Sequence, residues 1–365
     1  MIAVIGAGPA GLAAAAALQR RHHRVVVFER AEVGAAWDTR YDRLHLHTVR
    51  WLSCLPGYRM PRSFGRWPSR DQVRAYLREY ARLMRLEVRA GTDVDRVERE
   101  RTGWRLVTSD GMISARRVVV ATGNCKLPDR PDWPGQFPGE ILHSVEYRNP
   151  EPYLGRRVLV VGGGNSGAEI ALDLVDGGAA EVMLSVRSAP NIVRRDAFGV
   201  PSQVFGIASE HLPVPVVDAL ARGLRRVSLP DLTGYGLPAS RAPYSDFLRR
   251  RVIPILDIGL VDAVRSGRVR VVAALERFEQ GAAVLADGSH VQVDAVIAAT
   301  GYRTGLETLV GHLGVLDASG RPLVHGAREH PTAPGLHFVG FQLTLGGTFR
   351  LVGTEARQLA RTVPD

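Results

Sequence analysis

VLVVGGGNSGAEIALDL, residues 158–174, repeats in kind a device already built by IAVIGAGPAGLAAAAAL, residues 2–18. In each, a short apolar run ends in G-x-G-x-x-G and passes into a stretch of small and apolar residues. A continuous apolar run of this length is what a parallel strand buried on both faces requires. The glycines allow a tight turn and a close approach to the backbone. The helix that opens there points its free N–H groups, and its dipole, at any anion lying before it. The expected order is strand 2–5, helix 10–20 and strand 25–29 in the first copy, then strand 158–161, helix 166–175 and strand 182–186 in the second. One G-x-G-x-x-G is weak evidence. Two, each set between an apolar strand and a helix, predict two phosphate cradles.

The echo continues downstream, where SDGMISARRVVVATG ends the first copy at Gly123 and ADGSHVQVDAVIAATG ends the second at Gly301. Gly6 to Gly123 spans 117 positions and Gly162 to Gly301 spans 139, so the second copy is longer by 22. The surplus is placed in a proline-rich insert, 196–255, with helical patches at 216–227 and 245–251. The predicted fold is α/β, two Rossmann-like dinucleotide-binding domains with the second inserted into the first. The expected boundaries are 1–154, 155–295 and a return segment 296–365, at a length where chains divide into domains.

Composition narrows the function. Hydrophobic content of 45% and charged content of 23% are those of a globular protein. The net charge of +10 is carried by arginine scattered along the chain, with Lys126 the single lysine, so a nucleic-acid partner is not expected. Cys54 and Cys125 form no C-x-x-C pair, which argues for a reducing compartment and against a thiol relay or zinc site. No apolar run reaches the ~20 residues of a membrane span, and the first strand begins at residue 2, leaving no room for a cleaved leader. A cytoplasmic protein with no membrane partner is expected; the oligomeric state is not legible.

The ends of the second strands separate the two ligands. Glu29 lies 23 residues after Gly6, where a carboxylate accepts from both ribose hydroxyls and repels a 2′-phosphate. The matching position in the second copy is Ser185, with Arg187 two residues on and Arg194 and Arg195 further along. A hydroxyl and a guanidinium suit a phosphorylated ribose. The first cradle is therefore expected to hold FAD or NAD, and the second NADPH. NADPH delivering hydride to a flavin gives a chain with two cradles a purpose.

Further segments carry a family resemblance. FPGEILHSVEY, 137–147, matches F-x-G-x-x-x-H-x-x-x-Y at Phe137, Gly139, His143 and Tyr147. With the stretches at 37–61, 64–81, 186–199, 254–271, 299–305 and 336–347, the chain resembles the class B flavin monooxygenases, and within them the plant YUCCA branch. The resemblance implies that NADPH reduces FAD and that O2 then adds at the flavin C4a. The resulting (hydro)peroxide passes one oxygen atom to substrate, and the cofactor performs the bond-making. Baeyer–Villiger relatives usually end the fingerprint in tryptophan, where this chain has Tyr147. Nitrogen- and sulfur-oxygenating relatives carry asparagine where this chain has His47, as the YUCCA branch does; that branch has lysine at Arg50. The reading leans to oxidative decarboxylation of an aromatic 2-oxo acid such as indole-3-pyruvate, with N- or S-oxygenation, or an NADPH-dependent flavoprotein reductase, as alternatives.

The expected FAD contacts are Gly6, Gly8, Pro9, Ala10, Gly11, Glu29, Arg30, Trp37, Ala121, Thr122, Gly123, Gly346 and Gly347. Those for NADPH are Gly162, Gly164, Asn165, Ser166, Gly167, Ser185, Arg187, Arg194, Ala299, Thr300 and Gly301. His47 and Arg50 are the candidate catalytic residues, the arginine as an anchor for a substrate carboxylate, and His143 is expected to be structural. No metal is expected.

Overall fold

The computed structural model describes residues 1–197, 199–210, 212–237 and 253–364. It divides into two compact units, one of residues 1–39, 48–127 and 302–365, the other of 40–47 and 128–301. The expected helical patch at 245–251 lies outside the described residues.

The first unit is built on a five-stranded sheet in the order Leu336–Phe338, Arg117–Val120, Ile2–Ile5, Val25–Glu29, Val88–Ala90, every pair parallel. Alternate residues of a strand face opposite sides, and here both sides are covered. Ala3, Ile5, Val26, Phe28, Val118 and Val120 join Trp104 and Leu106, from a three-stranded antiparallel sheet over residues 94–115, in one core. Ile2, Val4, Val25, Val27 and Val119 are buried on the other side. The helix Pro9–Gln19 is buried almost throughout, from Ala10 to Leu18. Its run of alanines leaves room for the helix Thr348–Thr362 to pack against it.

The second unit repeats this plan. Its sheet runs Arg270–Val272, Glu181–Ser185, Arg157–Val161, Ala295–Ala298, Glu140–His143, again wholly parallel. Leu159, Met183 and Val296 face an antiparallel trio of strands, and Val158, Val160, Leu184 and Ile297 face the helices Asn165–Asp176 and Leu260–Arg265. In the insert, a helix covers Val214–Ser228 where the patch at 216–227 was expected.

Two boundaries differ from the sequence reading. The strand Glu140–His143 is the outer strand of the second sheet, so residues 128–154 belong to the second unit. Ala295–Ala298 is a central strand of that sheet, which moves the return point from 295/296 to 301/302. Each sheet draws its outer strand from beyond its own repeat: 336–338 follows the second copy, and 140–143 precedes it. Neither exchange leaves a mark in the spacing of the glycines.

Candidate functional sites

In the first unit the loop is shaped by two close approaches. A Cβ on Gly6, at φ +103°, would stand 2.8 Å from the Ala121 carbonyl oxygen, and one on Gly11 would stand 1.8 Å from that of Gly6. Gly8 is different: a Cβ there meets nothing within 4 Å. Gly8 caps the helix that starts at Pro9 and contributes no side-chain hydrogen bond, so no cap side chain takes up the helix's first N–H groups. Glu29 braces this loop, its Oε2 accepting from the Ala7 amide at 2.7 Å and its Oε1 from the Ala31 amide at 3.1 Å. Arg30 beside it is exposed.

The turn after the next strand also faces open space at Gly123, and it leaves two buried polar atoms without a partner, Thr122 Oγ1 and Asn124 Oδ1. The Asn124 amide donates to the Gly340 carbonyl at 3.1 Å. Asn124 escaped the sequence reading; its signal was a polar residue directly after ATG. Trp37 leans on Phe349 at 6.4 Å. Gly346 N–H is held by the Thr344 hydroxyl at 2.9 Å, and Gly347, at φ +95°, caps the helix Thr348–Thr362 without a side-chain bond.

The second unit reproduces the cradle. Cβ atoms on Gly162 and Gly167 would stand 2.3 Å from the Ala299 oxygen and 2.0 Å from the Gly162 oxygen, while Gly164 again opens on nothing within 4 Å. Gly164 caps the helix Asn165–Asp176 with no side-chain bond. Around it several expected contacts are committed elsewhere. Asn165 does not turn its amide to the cradle: Nδ2 donates to Pro254 O at 3.1 Å and Oδ1 accepts from Leu256 N–H at 2.8 Å. Ser185, 1% exposed, donates to Ala273 O at 2.9 Å and accepts from Leu275 N–H at 3.0 Å, so it anchors the neighbouring strand instead of reading a ribose phosphate. Thr300 donates its hydroxyl proton to the Asp129 carbonyl, which leaves the side chain only as an acceptor for a ligand. Arg187 is exposed, with no partner among the described residues. Arg194 ends the short strand Ile192–Arg194, and its carbonyl accepts from Ser202.

The fingerprint residues hold the second unit together. His143 Nε2 donates to Gly301 O at 3.0 Å and Nδ1 accepts from Val145 N–H at 3.2 Å; burial keeps its pKa below the usual imidazole range. Phe137 stacks on Phe278 at 4.8 Å, and a Cβ on Gly139 would stand 2.5 Å from Asp294 O. Tyr147 donates to Asp173 Oδ2 at 2.8 Å.

His47 and Arg50 do not share a unit. Two of the five Arg50 guanidinium donors are committed to the chain: Nε and an Nη donate to the carbonyls of Gly65 and Met60, both at 3.0 Å. His47 belongs to the second unit, where its Nε2 lies 2.7 Å from Oε1 of Glu169, a carboxylate only 2% exposed on the helix that opens at Gly164. Glu169 was missed too; its signal was an acid set in the apolar run of that helix.

Residues 3–197 match the family model described as pyridine nucleotide-disulphide oxidoreductase. The chain is 33% identical to the probable indole-3-pyruvate monooxygenase YUCCA3 of Arabidopsis thaliana over 355 residues, 93% of this chain and 81% of that protein. The chain belongs to the class B flavin-containing monooxygenases. Indole-3-pyruvate monooxygenase YUCCA1 of Oryza sativa is 35% identical, with 93% and 86% of the two chains covered. The solved flavin-containing monooxygenase of Stenotrophomonas maltophilia has a TM-score of 0.73 at 28% identity, over 99% of this chain and 96% of that one. As a class B flavin monooxygenase the chain is an FAD- and NADPH-dependent oxidoreductase that consumes O2 and acts on a small molecule. Its residues fit two dinucleotides: two uncapped helix starts open on free space at Gly8 and Gly164, and Thr122 and Asn124 keep unfilled buried oxygens. Among the described residues no helix is long and apolar enough to cross a membrane.

Proposed function

We propose that this monooxygenase oxidatively decarboxylates an aromatic 2-oxo acid of the indole-3-pyruvate type. One 2-oxo acid, one NADPH, one O2 and one proton give the acid one carbon shorter, CO2, NADP⁺ and water. The observation that carries this reading is likeness over 93% of the chain to proteins named indole-3-pyruvate monooxygenases. The bound cofactors supply hydride transfer and oxygen activation.

The chain's own residues position them. The loop 6–11 and the amides at the start of the helix Pro9–Gln19 receive the FAD pyrophosphate, and Glu29, whose oxygens keep a lone pair each beyond the two backbone bonds, receives the ribose hydroxyls. The loop 162–167 receives the NADPH pyrophosphate. Arg187, assisted by Arg194, recognises the 2′-phosphate, since Ser185 is committed to the backbone.

The test is product mass after turnover with NADPH and ¹⁸O2, across a panel of 2-oxo acids, amines and sulfides. A labelled acid one carbon shorter supports the proposal. Oxygen added to an intact amine or sulfide, with the 2-oxo acids untouched, overturns it. NADPH oxidation alone is no substitute, because peroxide release consumes NADPH without product.

A further inference from the structure

The first unit has a cavity at the opposite ends of its strands from the glycine loop. Its strands Ile2–Ile5, Arg117–Val120 and Leu336–Phe338 run parallel, and the loop at Gly6 and the turn at Gly123 lie beyond the strand ends. Arg116 and Arg117, with Pro334 and Gly335, stand instead at the strand starts. From Arg117 to the turn at Ala121 is about 13 Å, four residues at ~3.3 Å each. With Arg99 and Arg101, from the hairpin of strands Val94–Glu100 and Gly103–Thr108, these residues line an open cavity of about 290 Å³.

Its walls are fixed by the fold. Buried Trp104 donates from Nε1 to the Pro334 carbonyl at 3.3 Å, and Arg99 Nη1 donates to the Thr332 carbonyl at 2.6 Å. The Val118 amide donates to the Gly335 carbonyl at 2.9 Å. The segment 332–335 is thus tied to the hairpin and to the sheet before any ligand arrives. Two carboxylates also line the cavity, Glu100 and Glu329, and each already has a cation. Glu100 accepts from Arg105, which lies outside the lining, at 2.7 Å and from the Ser114 hydroxyl at 3.1 Å. Glu329 accepts from Arg117 at 2.8 Å.

That leaves Arg99, Arg101 and Arg116 with no ion pair among the described residues. Other guanidiniums of the chain are neutralised locally, as Arg74 is by Asp38, Arg82 by Glu79 and Arg157 by Asp294. Here three unpaired ones surround a single cavity. A concave wall of one sign concentrates counter-ions, and the planar fork of a guanidinium matches the oxygens of phosphate or carboxylate. Each carries five donors. Arg99 has given one to Thr332, Arg116 one to the Pro364 carbonyl at 3.3 Å, and Arg101 none among the described residues.

We propose that this cavity binds a small anion of at least two negative charges, a phosphate ester or a polycarboxylate, apart from both dinucleotide loops. Beside the guanidiniums the lining offers glycine and Pro334 but no aromatic or branched aliphatic wall, so it reads charge and not a base or ring.

The test uses FAD-loaded protein saturated with NADP⁺, so that both glycine loops are occupied. Calorimetric titration with pyrophosphate, and separately with citrate, at constant ionic strength is expected to show one site per chain for at least one of them. The tighter of the two identifies phosphate or carboxylate as the preferred group. R101S should weaken that binding about tenfold, the scale of one charge-assisted contact, and R101E should abolish it, with flavin content and NADPH oxidation unchanged. R82S, which removes the same charge from an exposed helix position, should leave the binding as it is. In the unmodified protein, phenylglyoxal should label Arg99, Arg101 and Arg116, and the bound anion should protect them, as read by peptide mass; this arm needs no variant to fold. Binding of neither anion, equal losses in R101S and R82S, or labelling that the anion leaves unchanged overturns the proposal.

Discussion

Two glycines of the second loop, three residues apart, should respond to the same substitution in opposite ways. In Gly167→Ala the new methyl would stand 2.0 Å from the Gly162 carbonyl oxygen and 3.2 Å from its carbon. A Cβ does not approach an oxygen closer than about 3 Å, so the helix start must move away from the strand by about 1 Å. The obstacle is backbone and cannot rotate aside, which places the cost near the upper end for overpacking, about 3 kcal/mol. For a unit of this size that lowers the melting temperature by roughly 6 to 12 °C. In Gly164→Ala the methyl meets nothing within 4 Å, and the backbone, at φ −109° and ψ −178°, is extended and open to any residue. Stability should change by about 0.5 kcal/mol or less. The methyl instead takes the space before the helix start, and NADPH should bind about tenfold more weakly, as for one lost charge-assisted hydrogen bond. The assay is thermal melting of FAD-loaded protein together with NADPH titration, with flavin absorbance as an internal control for the first unit. A Gly164→Ala that melts as low as Gly167→Ala, or that binds NADPH as the unmodified protein does, refutes this account of the cradle.

Arg187→Ser should raise KM for NADPH about tenfold and leave that for NADH nearly unchanged, because the guanidinium reads only the 2′-phosphate; equal effects on both coenzymes would exclude that role. Glu29→Ala strips acceptors from the Ala7 and Ala31 amides at a cost of about 1.5 to 3 kcal/mol, and should show as lost flavin absorbance per mole of purified protein. His337 is 1% exposed, and burial pushes its pKa down to about 4. The unfolded chain therefore takes up a proton below about 6.5 that the folded chain refuses until about 4, so stability rises with pH across that window. His143, also lowered by burial, adds to the same slope. His337→Gln should flatten the melting temperature against pH between those limits; an unchanged slope would show that His337 does not contribute it.

The two glycine loops and the strands and helices around them were readable in advance because their information is local. Gly6, Gly8 and Gly11 stand in fixed register with the strand before and the helix after, as do Gly162, Gly164 and Gly167, while which of them packs and which opens is seen only in the structure. The two apolar runs likewise announced strands covered on both faces, since Val158 and Leu159 are adjacent in sequence and buried in separate cores.

What the sequence determined by itself was the architecture and the two binding devices, because both arise from neighbours within a turn or a strand. What only the tertiary structure decided was the business of each polar side chain. Asn165 and Ser185 stand where ligand contacts were expected, yet Pro254 and Leu256 claim the one and Ala273 and Leu275 the other. Arg50 went to the carbonyls of Gly65 and Met60, and Glu169 came to His47 from 122 positions away. A buried donor or acceptor must find a partner, and the chain supplies that partner from whichever distant segment folding brings alongside. Periodicity along the sequence carries no record of that choice.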